Sequence, residues 1–380
     1  MRILIDGRLY GLENAGLGRY LNNLVLELSK IDSKNEYVLL LRKKYFDLLK
    51  FPGNWKKVLA DFRHYSFKEQ TVLPGLIRRE NPDLVHFPHF NVPIFYKGKY
   101  IVTIHDLLMH TQRGLSATTL PAPFYFVKRL GYRLGFDMAV KKSSAIIVPS
   151  VAVKDDLVRE YKGISEKIYV TYEGLDEKIS SDDTIKIDSS YFIYVGNAYP
   201  HKNLRRLIQA AVLLNTNRDE KISLVIVSAR NAFTSRLEKL VDELKANDFV
   251  KLLGFVPDKS LGLLYKNSLG FVFPSLSEGF GLPGLEAMSV GTLVLASEIP
   301  VFKEIYDNHA IYFNPLDFSS IERTMRGVIE IGDAERKKNI EEGQKFAKRY
   351  SWVKMARETL KIYENTFKKE NSSQGSSCLR

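Results

Sequence analysis

Short apolar runs alternate with longer amphipathic segments along most of the chain. Runs such as Ile101–Ile104 and Tyr191–Val195 have the length and the aliphatic or aromatic content of buried strands. Segments such as Tyr20–Lys30 place apolar residues three and four positions apart, which predicts helices with one buried face. This alternation predicts repeated strand–helix units and therefore parallel sheets covered by helices.

The apolar runs predict strands in both halves of the chain. In the first half they are Met1–Asp6, Tyr37–Leu41, Asp83–Phe87, Ile101–Ile104, Ala145–Val148 and Lys167–Tyr172. In the second half they are Tyr191–Val195, Leu224–Ser228, Val250–Leu253, Leu269–Phe273, Leu293–Ala296 and Ile311–Phe313. The predicted fold class is α/β, with two doubly wound, Rossmann-like parallel-sheet domains facing each other across a cleft.

A chain of 380 residues exceeds one ordinary hydrophobic core and predicts two domains. Residues 1–172 are predicted to form the first domain, and residues 191–350 the second domain. Residues 173–190 lack apolar periodicity and are rich in Asp and Ser, so they are interpreted as the linker. A helix is expected over 351–368 and a disordered tail over 369–380.

Composition narrows the class of protein. Hydrophobic residues make up 45% of the chain and charged residues 26%, as in soluble globular proteins. The single cysteine, Cys378, excludes a disulfide framework and favours a reducing compartment. No apolar run approaches the roughly 20 residues that cross a bilayer, and the N-terminus enters a strand directly. We therefore expect a cytoplasmic protein.

The net charge of +12 is unevenly distributed. Residues 1–170 hold 27 Lys and Arg against 16 Asp and Glu, whereas the remainder holds 29 against 28. A basic half suits nucleic acid or an anionic membrane, although charge kept only for solubility is an alternative. Residues 118–144 mix aromatic and basic side chains, which fits either a membrane-surface segment or a core-facing helix with a basic outer side.

The stretch from Gly270 to Ser297 carries the clearest chemistry. A buried strand ends at Pro274, and a loop with Gly279 and Gly281 leads into a helix with Pro283 at its first position. The N-terminus of a helix carries roughly half a positive charge and free N–H groups, so an anion is its natural occupant.

Two carboxylates accompany this predicted anion site, Glu278 and Glu286, with seven residues between them. They would repel the anion itself but could accept hydrogen bonds from hydroxyl groups on either side of it. A nucleotide sugar has that layout, with ribose, diphosphate and sugar in series. The alternative is that Glu286 only complements the helix dipole and Glu278 is solvated.

The sequence EGFGLPGLEAMSVG resembles the E-x7-E signature of retaining nucleotide-sugar glycosyltransferases of family 4, which have the GT-B fold. The resemblance implies that Glu278 contacts the transferred sugar and Glu286 the ribose. Lys202, in GNAYPHKN, would bind the diphosphate. Many relatives have an Arg at the position of Asn197. The alternatives are that Arg205 or Arg206 replaces it, or that both only face solvent.

The same resemblance assigns roles to other positions. Gly16 and Gly18, just before the predicted Tyr20 helix, would let the diphosphate approach the first domain. His105, at a strand end, would reach the transferred sugar, and Asp106 would orient the loop. The helix over 351–368 would cross back to the first domain. The implied catalytic residues are His105, Lys202 and Glu278. The implied donor-binding residues are Gly16, Gly18, Asn197, Lys202, Phe255, Val256, Glu278, Gly279, Phe280, Gly281, Leu282 and Glu286.

No metal or cofactor is expected. His86 and His89, in LVHFPHFN, are not interpreted as metal ligands, because structural or substrate-lining histidines are commoner than metal ligands. No Asp-x-Asp follows a predicted strand, so the expected mechanism uses no divalent metal. The charge that develops on the departing phosphate would be neutralised by Lys202 and backbone amides.

GNAYPHKN and TIHDLL look most like mannosyl and related hexosyl transferases of bacterial polysaccharide and lipopolysaccharide pathways. GDP-mannose is the favoured donor, with UDP-glucose, UDP-GlcNAc or dTDP-rhamnose as alternatives. A lipid-linked saccharide acceptor would explain the basic first half and predicts a peripheral enzyme at the inner face of the plasma membrane. A nucleic-acid-binding protein, a non-catalytic sugar-binding protein and a same-fold epimerase or phosphorylase are the rival classes; no nucleic-acid motif supports the first.

Overall fold

The computed structural model describes residues 1–111, 122–175, 187–230 and 232–377. These residues form two units. The first contains 1–111, 122–174 and 351–377, and the second contains the described residues from 175 to 350. The chain thus leaves the first unit at Gly174 and returns at Ser351, and a Cβ on Gly174 would lie 2.0 Å from the backbone nitrogen of Trp352. Of the predicted linker, residues 176–186 lie outside the described part.

The first unit is built on a parallel sheet of seven strands in the order β3-β2-β1-β4-β5-β6-β7. All of the neighbouring strands in this sheet pair in parallel. The strands are β1 Arg2–Asp6, β2 Glu36–Leu41, β3 Trp55–Leu59, β4 Leu84–Phe87, β5 Tyr100–Thr103, β6 Ala145–Val148 and β7 Ile168–Val170.

Helices cover this sheet, and α1 packs against the C-terminal helix α15. Tyr363 on α15 bonds to His86 on β4, whose other ring nitrogen bonds to Thr103 on β5. The helices are α1 Ala15–Ile31, α2 Lys43–Leu48, α3 Phe67–Thr71, α4 Leu73–Glu80, α5 Leu108–Thr111, α6 Ala122–Lys142, α7 Val151–Glu160 and α15 Trp352–Ser377.

The second unit has a parallel sheet of six strands in the order β10-β9-β8-β11-β12-β13. Its strands are β8 Tyr191–Val195, β9 Ser223–Val227, β10 Val250–Gly254, β11 Gly270–Phe273, β12 Val294–Ser297 and β13 Ile311–Phe313. Its helices are α8 Leu204–Leu214, α9 Ala232–Glu243, α10 Asp258–Lys266, α11 Leu282–Ser289, α12 Pro300–Tyr306, α13 Phe318–Glu330 and α14 Asp333–Ala347.

The α/β prediction with two Rossmann-like sheets is confirmed, and every predicted strand is present with its ends shifted by at most two residues. Strand β3, Trp55–Leu59, was not predicted. Lys56 and Lys57 interrupt its apolar character, and β3 is an edge strand, paired only with β2, where a polar face is tolerated.

Two helices differ from expectation at their ends. Helix α1 begins at Ala15 rather than Tyr20, because tertiary packing favours the glycine-containing turn: a Cβ on Gly18 would lie 1.9 Å from the carbonyl oxygen of Gly11. Helix α15 continues to Ser377, whereas a disordered tail was predicted over 369–380; residues 378–380 lie outside the described part. No proline interrupts that part of the sequence, so the helical hydrogen bonding can continue.

Among the described residues, no helix combines the length and apolar character that spanning a bilayer requires. The carboxyl ends of the parallel strands collect the polar residues in each unit. Ligands bind at this edge in open α/β sheets. In the first unit His105 follows β5, and in the second unit Asn197 follows β8 and Glu278 follows β11.

Candidate functional site

The loop between β11 and α11 is held by a left-handed residue and a buried tyrosine. Gly281 has φ 112° and immediately precedes α11. Pro283 is therefore the second residue of the helix, whereas the sequence predicted it as the first. Tyr306, buried on α12, donates a hydrogen bond to the carbonyl oxygen of Gly281 at 2.6 Å. A Cβ on either Gly281 or Gly284 would lie 2.4 Å from the Tyr306 hydroxyl oxygen. Both glycines are therefore required by the tyrosine beneath the loop.

Glu278 lies in this loop and is bound by two donors. Lys202 Nζ donates to Glu278 Oε1 at 2.5 Å, and Ser275 Oγ donates to the same oxygen at 2.6 Å. The other oxygen, Oε2, has no hydrogen-bond partner in the described part of the chain. The side chains of Lys202 and Glu278 are 13% and 12% exposed, so the pair is largely desolvated but still reachable.

Lys202 is positioned by the loop between β8 and α8. It ends a short 3-10 turn, Pro200–Lys202, and the next residue, Asn203, has the left-handed φ of 59°. The buried Asn203 amide donates to the carbonyl oxygens of Pro274 at 3.0 Å and Pro315 at 2.8 Å. Asn203 thereby ties three loops at the carboxyl edge of the sheet.

A backbone bond adds to this tie: Leu276 N–H donates to the His201 carbonyl at 2.8 Å. Burial, followed by the positive charge of Lys202, lowers the pKa of His201 to about 4, so this imidazole is neutral near pH 7. Because His201 is neutral, Lys202 supplies the positive charge where these loops meet, and it pairs with Glu278.

Asn197 occupies the position at which the family resemblance leads us to expect an arginine. Asn197 accepts a bond from the Tyr194 hydroxyl through its backbone carbonyl at 2.8 Å, while its side-chain Oδ1 is buried with no partner among the described residues. Arg206 donates to Asn203 Oδ1 at 3.0 Å, and Arg205 is exposed on α8. The Arg206 contact therefore braces the loop.

The remaining predicted donor-binding residues of the second unit are mostly buried. Glu286 is 6% exposed on α11, and the side chains of Phe280 and Leu282 are 4% and 8% exposed. Phe280 packs edge-to-face on Tyr350, so only its backbone could serve a ligand. Gly279 is half-buried in the loop beside Glu278.

After β10, Phe255 and Val256 differ sharply in exposure. The Phe255 side chain is 77% exposed, whereas that of Val256 is 5% exposed. Gly254 before them has φ 76°, and the register of β10 with β9 shifts at this point. The turn therefore directs one aromatic ring outward at the carboxyl edge of the sheet.

In the first unit, His105 is engaged through both ring nitrogens. Nε2 donates to the Pro88 carbonyl at 3.0 Å, and Nδ1 lies 3.4 Å from Glu173 Oε1. The ring also packs edge-to-face on Tyr20. Glu173 was predicted to belong to the linker, but it is buried in the first unit.

Gly16 and Gly18 do not precede α1 but lie in its first turn, which corrects the prediction of a loop ending before Tyr20. The two glycines differ. Gly18 is needed for the close approach of the Gly11 backbone, whereas no atom lies within 4 Å of a Cβ built on the exposed Gly16. Only Gly16 is open to a ligand in the manner predicted.

Histidines 86 and 89 are structural groups in this unit. Burial lowers the pKa of both to about 3, with a smaller contribution from His105. His86 bonds to Tyr363 and Thr103, and His89 packs on Phe90. Among the described residues, no group of three or more His, Cys, Asp or Glu side chains could hold a metal ion.

Two family models match the chain, together covering most of it. Residues 15–178 match Glycosyltransferase Family 4, and residues 176–346 match Glycosyl transferases group 1. The O-antigen chain mannosyltransferase RfbU of Salmonella typhimurium strain LT2 is 31% identical over 276 residues, which cover 71% of each protein. The O-antigen chain mannosyltransferase B of Escherichia coli is 32% identical over 174 residues, covering 46% of this chain and 45% of that protein.

Solved structures share the architecture. Sucrose-phosphate synthase from Thermosynechococcus elongatus aligns with a TM-score of 0.77 at 17% identity, covering 96% of this chain and 98% of that one. Anabaena Alr3699/HepE in complex with UDP and glucose aligns with a TM-score of 0.72 at 17% identity, covering 96% and 100%. At this identity the likeness shows the fold, and it supports the GT-B prediction.

Proposed function

Because this chain belongs to the glycosyltransferases of group 1 and family 4, we propose that it transfers mannose from GDP-mannose to a saccharide or lipid-linked saccharide acceptor. The family makes the chain a glycosyltransferase. The mannosyltransferase relatives support the choice of sugar, and their O-antigen names support a role in cell-surface polysaccharide synthesis. The alternative donors are UDP-glucose, UDP-GlcNAc and dTDP-rhamnose.

The observation that carries the proposal is the Lys202–Glu278 pair at the carboxyl edge of the second sheet. Lys202 uses one N–H bond on Glu278, so two N–H bonds remain for another anion. Glu278 keeps Oε2 for a hydroxyl group. Both side chains have hydrogen-bonding capacity left and are 12–13% exposed, and Asn203 and Tyr306 hold their loops in place. This arrangement suits a diphosphate joined to a sugar.

The proposed reaction retains anomeric configuration and needs no divalent metal. The acceptor hydroxyl oxygen bonds to the sugar's anomeric carbon as the bond from that carbon to the diphosphate oxygen breaks. The hydroxyl proton passes to the departing phosphate oxygen on the same face. Lys202 and the N–H groups at the start of α11 neutralise the charge on the diphosphate as it leaves.

The other roles follow the family resemblance. Glu278 accepts hydrogen bonds from the transferred sugar, and Glu286 accepts them from the ribose. The backbone beside Phe255 and Val256 contacts the base. In the first unit, His105 contacts the sugar, oriented by Pro88 and Glu173. The basic character of this half of the chain favours peripheral association with the inner face of the plasma membrane.

A panel of nucleotide sugars tests the proposal. Purified protein is incubated with GDP-mannose, UDP-glucose, UDP-GlcNAc and dTDP-rhamnose, each with a mannose-terminated oligosaccharide, and the released nucleotide is measured. We expect GDP release with GDP-mannose, and loss of that release in Lys202→Ala but not in Lys239→Ala, a control on the exposed face of α9. Release of UDP or dTDP instead would replace the donor, and no release from any donor would contradict transfer.

A further inference from the structure

Two neighbouring segments of the first unit expose an apolar patch, made of Tyr65, Phe67, Val72, Ile94 and Phe95. Phe67 is 82% exposed and Phe95 is 70% exposed, although aromatic rings of this size are normally buried. Large apolar side chains exposed on neighbouring segments are typical of an interaction site.

Hydrogen bonds join the two segments into one surface. Asn91 Nδ2 donates to Glu69 Oε2 at 2.6 Å, and the Ile94 N–H donates to Gln70 Oε1 at 2.8 Å. Phe67 stands on the same short helix as Glu69 and Gln70, and Phe95 follows Ile94. The two exposed phenylalanines are therefore presented by a single bonded framework.

That framework is anchored in the core. The Glu69 side chain is fully buried, and Arg8 Nη2 donates to its Oε1 at 2.8 Å. Glu69 Oε2 also accepts the N–H of Tyr65 at 2.9 Å, a residue with a left-handed φ of 58°. The buried Arg8–Glu69 pair therefore fixes the segments that carry the exposed side chains of the patch.

The exposed charged side chains of these two segments are cationic, and the half-buried Asp106, which follows β5, is a further carboxylate near Tyr65. Arg63, Lys68 and Lys97 are exposed within residues 62–79 and 88–99, and the one carboxylate in those two segments is the buried Glu69. The flanking carboxylates Asp61 and Glu80 lie beside Arg42 and Lys56, at 3.7 Å and 2.6 Å. Apolar rings within a basic rim complement a bilayer that carries anionic lipid.

We propose that this apolar patch is the surface through which the protein contacts an anionic lipid bilayer, with Phe67 and Phe95 entering the interface. The inference rests on the proposed peripheral association and names the residues that make it. Both segments leave the carboxyl edge of the first sheet, after β3 and β4, and His105 leaves the same edge after β5. The carbohydrate of a lipid-linked acceptor would thus meet the protein on this edge.

Vesicle sedimentation tests the proposal. Wild-type protein is mixed with phosphatidylcholine vesicles and with vesicles of phosphatidylcholine and phosphatidylglycerol in about a 3:1 ratio. We expect wild type to sediment with the anionic vesicles, and Phe67→Ser/Phe95→Ser to bind them at least about tenfold more weakly, because two rings no longer leave water. Leu48→Ser, which removes a 69% exposed side chain on α2 outside the patch, should bind like wild type.

A charge variant separates the two contributions. Arg63→Gln/Lys68→Gln/Lys97→Gln should lose about fivefold in affinity per cation for anionic vesicles and should show a weaker dependence on salt. Thermal unfolding of each variant shows whether it is folded, since none of these exposed side chains lies in the core.

The outcomes separate this inference from the proposed function. Failure of wild type to bind anionic vesicles would overturn the peripheral association and the patch together, while nucleotide release with the soluble oligosaccharide would still support transfer. Equal binding by wild type and Phe67→Ser/Phe95→Ser would overturn the patch alone. Concentration-dependent dimerisation that the double variant loses, without vesicle binding, would show that a second copy of this chain covers the patch.

Discussion

Each sheet carries a charge network at its carboxyl edge, and the two networks differ in access to water. In the first unit, Arg8 binds Asp6 through Nε at 2.8 Å and Glu69 through Nη2 at 2.8 Å, and its side chain is 0% exposed. In the second unit, Lys202 binds Glu278, and both side chains remain 12–13% exposed. Each cation has donor capacity that the protein does not use: Nη1 of Arg8 has no partner among the described residues, and Lys202 bonds with one N–H.

Exposure decides what that unused capacity can do. Burial opposes ionisation of Asp6, but the charge and hydrogen bonds of Arg8 outweigh it and lower the Asp6 pKa. Burial raises the pKa of Glu69, which Arg8 offsets only in part. No ligand can reach these groups without opening the core, so we infer that they stabilise the first unit. The Lys202–Glu278 pair is accessible, as the substrate-binding role proposed for it requires.

The largest effect on folding is expected from Arg8→Met. Removing the cation leaves Asp6 and Glu69 buried without compensation, which should lower the free energy of unfolding by about 3–5 kcal/mol. Denaturant unfolding measures it. Arg2→Met is the matched control, since the Arg2–Glu36 pair is 43% and 64% exposed and should contribute at most about 1 kcal/mol. Equal losses in the two variants would contradict the distinction drawn between buried and accessible networks.

The reverse pattern is expected for Lys202→Met. Losing a preorganised positive group should lower kcat/KM by about a hundredfold to a thousandfold, or about 3–4 kcal/mol. The free energy of unfolding should fall less than in Arg8→Met, because Glu278 keeps its bond from Ser275 and some contact with water. Steady-state nucleotide release with Lys239→Met as the control checks this. A large loss of stability with normal turnover of the folded fraction would place Lys202 with Arg8 as a structural cation.

The Lys202–Glu278 contact itself was not foreseen from the sequence. The residues are 76 positions apart, and the resemblance assigned one to the diphosphate and the other to the sugar. Asn203 and Tyr306 were also missed as supports of the site. An asparagine after a lysine and a tyrosine at the end of a helix have no local signal for these roles, because their bonds to Pro274, Pro315 and Gly281 exist only after the sheet has assembled.

The prediction of strands succeeded because most of them are buried on both faces and read as continuous apolar runs. It failed at Trp55–Leu59, where an edge position tolerates lysines, and at the start of α1, where glycine disfavours a helix locally. Glu173 was misassigned because its neighbours in sequence are polar, while its contact with His105 depends on the fold.

An intermediate effect is expected from Tyr306→Phe in the second unit. The variant keeps the ring but removes the hydroxyl group that donates to the Gly281 carbonyl at 2.6 Å. This loss should lower the free energy of unfolding by about 1–3 kcal/mol and, because the loop relaxes, raise the KM for the nucleotide sugar. Tyr312→Phe is the control, because its hydroxyl bonds to the carbonyls of Phe302 and Asp307 outside the loop. A donor KM that rises equally in both variants would show that Tyr306 has no particular role in the loop.

The smallest expected effect concerns the pH dependence of the first unit. Burial lowers the pKa of His86 from 6.5 to about 3, so the folded protein keeps this imidazole neutral while the unfolded chain takes up a proton below pH 6.5. The contribution of neutral His86 to the free energy of unfolding is therefore fully present above pH 6.5 and is lost as the pH falls from 6.5 towards 3.

Between pH 8 and pH 5.5, His86 should account for about 1.4 kcal/mol of lost stability, which follows from one proton bound only by the unfolded state. His86→Gln can still bond to Tyr363 and Thr103 but does not titrate, so its free energy of unfolding should fall less over this range by that amount. Denaturant unfolding at the two pH values gives the difference. Parallel pH profiles for the variant and wild type would mean that His86 is protonated in the folded state. In that case the first unit would contain a histidine that takes up a proton in the folded state. The distinction between its buried groups and the accessible groups of the second unit would then not hold for His86.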